Sequence, residues 1–172
     1  GNAVEALRTV NRELIDLARS SERKQTIGTT VVGLAIVNDA FRCFWMGDSR
    51  AYVIRDGEIS RLSHDHSLVQ NLIDAGMLKP EEAESHQNAN LITRAVGVAD
   101  TAEVDVVSGE ARAGDLFLLA SDGLTRVVAD DEIAAELQRG SLDEVADRLI
   151  DTVLARGAPD NVSLIAVNVL EP

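Results

Sequence analysis

The sequence predicts an α+β fold, a largely antiparallel β-sandwich flanked by helices, on three observations. Apolar and alternating runs are separated by Gly, Asn and Asp, the residues that turn one strand into the next. Amphipathic helical patterns stand at the start and near the end of the chain, so helices cover a sheet system. The stretch Gly114-Asp115-Leu116-Phe117-Leu118-Leu119-Ala120-Ser121-Asp122-Gly123 is apolar enough for a strand buried on both faces. At 172 residues, 45% of them hydrophobic, the chain suits one domain over 1–172 with a sizeable core.

Residues 3–19 carry Val4, Leu7, Val10, Leu14 and Leu17 at three- and four-residue spacing, which predicts a helix with that face on a sheet. A polar link over 20–25 leads to a strand over 28–37. Asn38-Asp39 turns it into a partner over 41–46. Arg50-Ala51-Tyr52-Val53-Ile54-Arg55 pairs with Glu58-Ile59-Ser60-Arg61-Leu62 across Asp56-Gly57, a two-residue hairpin turn without chemistry. Ser63-His64-Asp65-His66-Ser67 opens a helix over 68–75, closed by Gly76. Pro80 starts a short helix. Residues 65–90 are the least sheet-like part and are read as a mobile flap over one edge. Strands follow over 91–97 and 102–107, then the central run. Asp130 or Asp131 caps a helix to Gln138. Ser141 and Glu144 form a capping box for a longer helix that buries Leu142, Val145, Leu149, Val153 and Leu154. A last strand covers 162–167.

A formal net charge of −13 argues against nucleic acid or an anionic membrane as partner. Bound cations could still bring phosphate to so acidic a chain. No run approaches the length of a membrane span, and no signal-peptide pattern opens the sequence. The lone Cys43, beside aromatics, reads as a buried structural thiol, which suits the cytoplasm.

Chemistry is placed where core strands end in carboxylates. The central run delivers Asp122 and Gly123, and the last strand is preceded by Pro159-Asp160-Asn161. Antiparallel pairing of these strands would bring Asp122 and Asp160 together at one end of a sheet. A third strand exit, Gly47-Asp48-Ser49-Arg50, carries Asp48. Taken singly, Asp-Gly and Asp-Asn are ordinary turn pairs. Together, three carboxylates at strand ends suit hard cations such as Mn²⁺ or Mg²⁺. His64 and His66 are read as solvated cap residues, because no cysteine or third histidine stands near them in sequence to complete a transition-metal site.

In this order the chain resembles the metal-dependent Ser/Thr protein phosphatases of the PPM class, also called type 2C. The stretches that carry the resemblance are Gly28-Thr29-Thr30, Gly47-Asp48-Ser49-Arg50, Asp65-His66-Ser67, Ile92-Thr93-Arg94-Ala95-Val96-Gly97, Ser121-Asp122-Gly123 and Pro159-Asp160-Asn161-Val162. Their spacing is that of bacterial members, and the flap is similar to that of members found with type VI secretion systems. The resemblance implies an αββα sandwich with a binuclear Mn²⁺ or Mg²⁺ centre. Asp122 and Asp160 match ligands of one metal, and Asp48 matches a residue that helps hold a third, weaker one. Hydrolysis of phosphoserine and phosphothreonine in proteins by a metal-activated water is the implied reaction, with an opposing kinase as the implied counterpart. Asn161 is expected to orient the loop bearing Asp160, and Gly123 to let backbone pass close; both could equally be plain turn residues. Arg50 and Arg94 are expected to pair with acidic neighbours or with substrate. Complete members begin with strands and an Asp-Gly step that supply the first metal's ligands, and no residues here match them. The chain alone is therefore expected to be weak or inactive. The alternatives are a non-catalytic remnant that binds a cation or a partner, and a metal-binding module of another hydrolase class with similar strand ends.

Overall fold

The computed structural model describes residues 3–21 and 25–171, so the polar link expected over 20–25 lies partly outside the described residues. The elements are α1 (Ala3–Ser20), β1 (Val31–Val37), β2 (Ala40–Met46), β3 (Arg50–Arg55), β4 (Glu58–Arg61), α2 (Leu68–Asp74), a 3-10 turn over Pro80–Glu82, β5 (Asp105–Glu110), β6 (Leu116–Ala120), α3 (Asp122–Thr125), α4 (Asp130–Leu137), α5 (Leu142–Ala155) and β7 (Leu164–Asn168). They form a three-stranded sheet in the order β1-β2-β5 and a four-stranded sheet in the order β4-β3-β6-β7. The class is α+β, as expected. Among the described residues no helix is long and apolar enough to cross a membrane.

The chain divides into two compact units. One comprises Gly1–Val31, Phe44–Asp48 and Asp65–Val106, the other Val32–Cys43, Ser49–His64 and Val107–Pro172.

In the second unit the four-stranded sheet is antiparallel throughout. Arg50 to Ile54 of β3 face Ala120 to Leu116 of β6, and Leu116 to Ala120 face Asn168 to Leu164 of β7. The β3–β4 hairpin turns through Asp56 and Gly57 at φ +52° and +83°, the left-handed pair whose twist matches that of the strands it joins. Tyr52, Ile54, Leu118 and Ala120 pack with Leu124, Val128, Ile133, Leu137, Val145, Leu149 and Val153, so α3, α4 and α5 close over one face of this sheet. Each such Leu or Ile contributes about 1.5–3 kcal/mol by leaving water. The Ser141–Glu144 capping box is present: Ser141 Oγ accepts from Glu144 N, and Glu144 Oε2 accepts from Ser141 N at 2.9 Å.

Three expectations in this unit need correction. The α4 cap is Ala129, not Asp130 or Asp131; alanine has no side-chain acceptor, and Glu132 turns back to accept from the Ala129 N–H instead. Leu154 is exposed, because a step of one residue from Val153 rotates it about 100° off the buried face. β7 is an edge strand of the described sheet, and its Ile165 points to solvent.

In the first unit α1 covers the predicted span, but its most buried residue is polar. Asn11 is 1% exposed, its Oδ1 accepting from Gly97 N at 2.7 Å and its Nδ2 donating to Ala99 O at 2.9 Å. Leu7 and Leu14 join Met46, Val96 and Ala102 in a small core. Val10 and Leu17, expected on that face, are exposed because the docked face is centred on Asn11. The stretch 91–97 is not a strand. It makes only isolated bridges, Ser67 with Ile92 and Thr29 with Val96, and Leu91 and Ile92 face solvent, so no continuous partner holds it extended. Ser67 caps α2, its Oγ accepting from Gln70 N, and Gly76 follows at φ +68° as a helix stop. The strand expected over 102–107 begins later, as β5, because Ala102 and Val104 are spent on the small core.

Candidate functional site

The end of β6 and the approach to β7 are stitched together by main-chain and serine contacts. Ser121 N donates to Ser163 O at 2.9 Å, and Ser163 N donates to Ser121 Oγ at 3.0 Å. The Ser121 hydroxyl in turn points at Asn161 O, 3.5 Å away. These bonds prolong the antiparallel register beyond the Ala120–Leu164 pair, and so hold the two strand exits side by side. Gly123 makes the closeness possible. A Cβ there would stand 2.2 Å from Asn161 O and 2.9 Å from Asn161 C, distances no side chain tolerates.

The structure therefore brings the segments bearing Asp122 and Asp160 together. Asp122 opens α3 instead of ending a strand, with Ser121 as cap. Its Oδ2 lies 3.2 Å from Arg126 Nε one turn on. Asp160 is exposed, and its Oδ1 accepts from Asn161 N at 2.7 Å, which fixes the start of the turn. Asn161 contributes main-chain groups to these contacts. Sequence reasoning included Ser121 within Ser121-Asp122-Gly123 but gave it no role; its hydroxyl makes no cap bond to α3 and serves the Asn161–Ser163 segment instead.

The two carboxylates are hard oxygen donors on adjoining segments, a type of set that suits Mn²⁺ or Mg²⁺ completing its shell with water. Among the described residues no group of three or more His, Cys, Asp or Glu is gathered to hold an ion, so this donor set is partial.

Asp48 lies in the other unit and is buried, 6% exposed. The turn before it passes through Gly47 at φ +120°, where a Cβ would meet the Thr30 side chain at 2.4 Å. His66 is not the solvated cap residue expected. It is buried, with Nδ1 accepting from Gly47 N at 3.1 Å, and its main-chain N–H donates to Gly47 O at 2.9 Å. Long-range pairing to Gly47 pulls the ring inward, which local spacing does not encode. The signal that pointed to it was the Asp65-His66-Ser67 match. Arg94 pairs with Asp105 at 3.3 Å and lies 3.9 Å from Glu103, and Arg50 lies 3.9 Å from Asp130, so both have the acidic neighbours expected. Asp130 also accepts from the Tyr52 hydroxyl at 2.8 Å, and burial pushes that phenol's pKa upward. Cys43 is fully buried, and burial pushes its thiol up to about 11.

The family model described as protein phosphatase 2C matches residues 2–162. The serine/threonine protein phosphatase PstP of Mycobacterium tuberculosis is 37% identical over 166 residues, which are 96% of this chain and 32% of that protein. A serine/threonine phosphatase from S. agalactiae superposes with a TM-score of 0.90 at 36% identity, covering 98% of this chain and 69% of that one. The catalytic domain of PstP, solved in complex with two manganese ions, superposes with a TM-score of 0.86 at 36% identity, covering 95% and 68%. The chain thus spans about a third of the length of the curated relative and about two thirds of the solved domains. With nearly all of its length matched in sequence and in fold, the chain belongs to the protein phosphatase 2C family.

Proposed function

We propose that this chain serves in the hydrolysis of phosphoserine and phosphothreonine in proteins, with Mn²⁺ or Mg²⁺ held in part by Asp122 and Asp160 and a weaker cation held in part by Asp48. The observation that carries the reading is the stitched pair of strand exits, which sets two carboxylates on adjoining segments at the end of an antiparallel pair. A divalent ion bound there supplies charge to neutralise a phosphoryl group and to acidify water. Within the chain, Asp122 and Asp160 bind and orient the ion. Gly123 and Ser121 keep their backbones in place, and Arg126 holds one oxygen of Asp122.

The substrate is then a phosphorylated protein, and a Ser/Thr kinase would supply it. A cytoplasmic setting is supported by the reduced, buried Cys43.

The test is Mn²⁺-dependent release of phosphate from a phosphopeptide, by this chain and by one extended to the length of the solved relatives. Turnover that EDTA abolishes and Asp122→Asn suppresses is expected of the extended chain. A folded extended chain that releases no phosphate would end the enzyme reading and leave that of a cation-binding domain.

A further inference from the structure

His66 meets Gly47 twice. Its ring Nδ1 accepts from Gly47 N at 3.1 Å, and its main-chain N–H donates to Gly47 O at 2.9 Å. A backbone N–H can only donate, so Nδ1 must present its lone pair and the ring proton sits on Nε2. Nε2 lies 3.1 Å from Asp105 Oδ2 and 3.4 Å from Arg94 Nη1, which is itself 3.3 Å from the other oxygen of Asp105. The ring stacks on Trp45 with centroids 6.3 Å apart and planes at 24°, and His66 O accepts from Thr93 N at 2.8 Å. The imidazole is therefore held in position with Nδ1 toward Gly47, and what it grips is a glycine at φ +120°, a backbone free to take other conformations if released.

We propose that His66 is a positioning residue for Asp48: by clamping both polar groups of Gly47 it sets the direction in which the next residue presents its carboxylate to a divalent cation. This rests on the reading of Asp48 as a cation-holding residue. The arrangement has the logic of an outer-shell partner, which orients a ligand without touching the ion.

The test uses the whole chain and Mn²⁺ alone as probe, followed by the electron paramagnetic resonance signal of free Mn²⁺, together with hydrogen exchange at the Gly47 amide. His66→Gln keeps a polar group near Nε2 but loses the acceptor for Gly47. His66→Asn places an amide oxygen near Nδ1 and keeps it. In the Gln variant Gly47 exchange should speed and the Asp48-dependent Mn²⁺ affinity should fall by about tenfold; the Asn variant should stay within about twofold of wild type, since the clamp survives. On an Asp48→Asn background His66→Gln should cost nothing further, because the two act through one site. Should the Gln variant lose its fold, Asp105→Ala reaches the same ring from its half-exposed end and should weaken Mn²⁺ binding in the same direction. Unchanged Mn²⁺ affinity in the His66→Gln or Asp105→Ala protein, or an equal further loss on the Asp48→Asn background, overturns the proposal. Unchanged affinity in Asp48→Asn itself removes the reading beneath it, an outcome told apart because it involves no change at His66.

Discussion

Gly123 and Asn161 are in such close contact that a single methyl group on the first would lie 2.2 Å from the carbonyl oxygen of the second. Neither partner can yield easily. Gly123 is buried inside α3, and Asn161 precedes a stretch tied to Ser121 by two hydrogen bonds through Ser163. Gly123→Ala should therefore destabilise the fold by about 1–3 kcal/mol, as overpacking against backbone does. A urea denaturation midpoint indistinguishable from wild type would mean the two segments can part freely.

The carboxylates flanking this contact give a second expectation. Asp160→Asn should weaken Mn²⁺ binding by roughly tenfold or more while leaving the metal-free stability unchanged, because the amide oxygen still accepts from Asn161 N and the turn bond is kept. Asp122→Asn should weaken binding as strongly and also cost a few tenths of a kcal/mol without metal, through the one-turn pair with Arg126. Calorimetric titration with unchanged Mn²⁺ affinity would remove both residues from the site.

Arg126 itself should act in the opposite sense. Its guanidinium holds Asp122 Oδ2 at 3.2 Å and places a positive charge beside any cation there. Arg126→Met should tighten Mn²⁺ binding by about three- to tenfold, the size of one unit-charge repulsion at roughly 6 Å in partly hydrated surroundings. Weaker binding in this variant would show that the arginine orients the carboxylate more than it repels the ion.

Acid should remove a defined part of the stability. Arg156, aided by the Ala129 N–H, holds the Glu132 carboxyl at about 2 against an ordinary 4.5, and Arg55 holds Asp115 below its ordinary value. Asp115 is also bonded to Arg112 N and buried at 1% exposure. Folded-state values below the unfolded ones mean stabilisation that is complete above about pH 5 and lost as pH falls through the folded values. The urea midpoint should be flat from neutrality to about pH 5 and drop below it. Glu132→Gln should remove part of that acid slope and converge with wild type near pH 2. A variant with an unaltered slope would exclude the Arg156 pair as its source.

Cys43 should be inert while the protein is folded. With its thiol pushed up to about 11 and no exposed surface, on the order of one molecule in a thousand carries thiolate at pH 8. A chromogenic disulfide reagent should leave it unmodified natively and label one thiol after denaturation. Rapid native labelling would place the side chain at the surface.

Local chemistry in the sequence was enough for α1, the Asp56-Gly57 hairpin, the Ser141 capping box and the β6 core strand, because period, turn residues and caps act over a few neighbours. The close approach at Gly123 was expected only through the family resemblance, beside the plain reading of a turn residue. Local chemistry did not reveal that 91–97 lacks a continuous partner strand, that Leu17 and Leu154 face water, or that Ala129 caps α4. The pairing of 91–97 and the facing of Leu17 depend on what docks against the segment, whereas Leu154 turns on a one-residue step of the helix and the α4 cap on Glu132 reaching back to Ala129.

Residue types and their order determined the fold class and the family, since side-chain alternation and buried runs leave few arrangements in which apolar faces meet; the pairing of β6 with β7 was a condition that the structure meets. Only the tertiary structure decided that Ser121 would stitch the strand exits and that His66 would turn inward to grip Gly47. Those contacts join residues up to 42 positions apart, and no local preference specifies them. They form because packing brings the groups together, and buried polar atoms must then find partners.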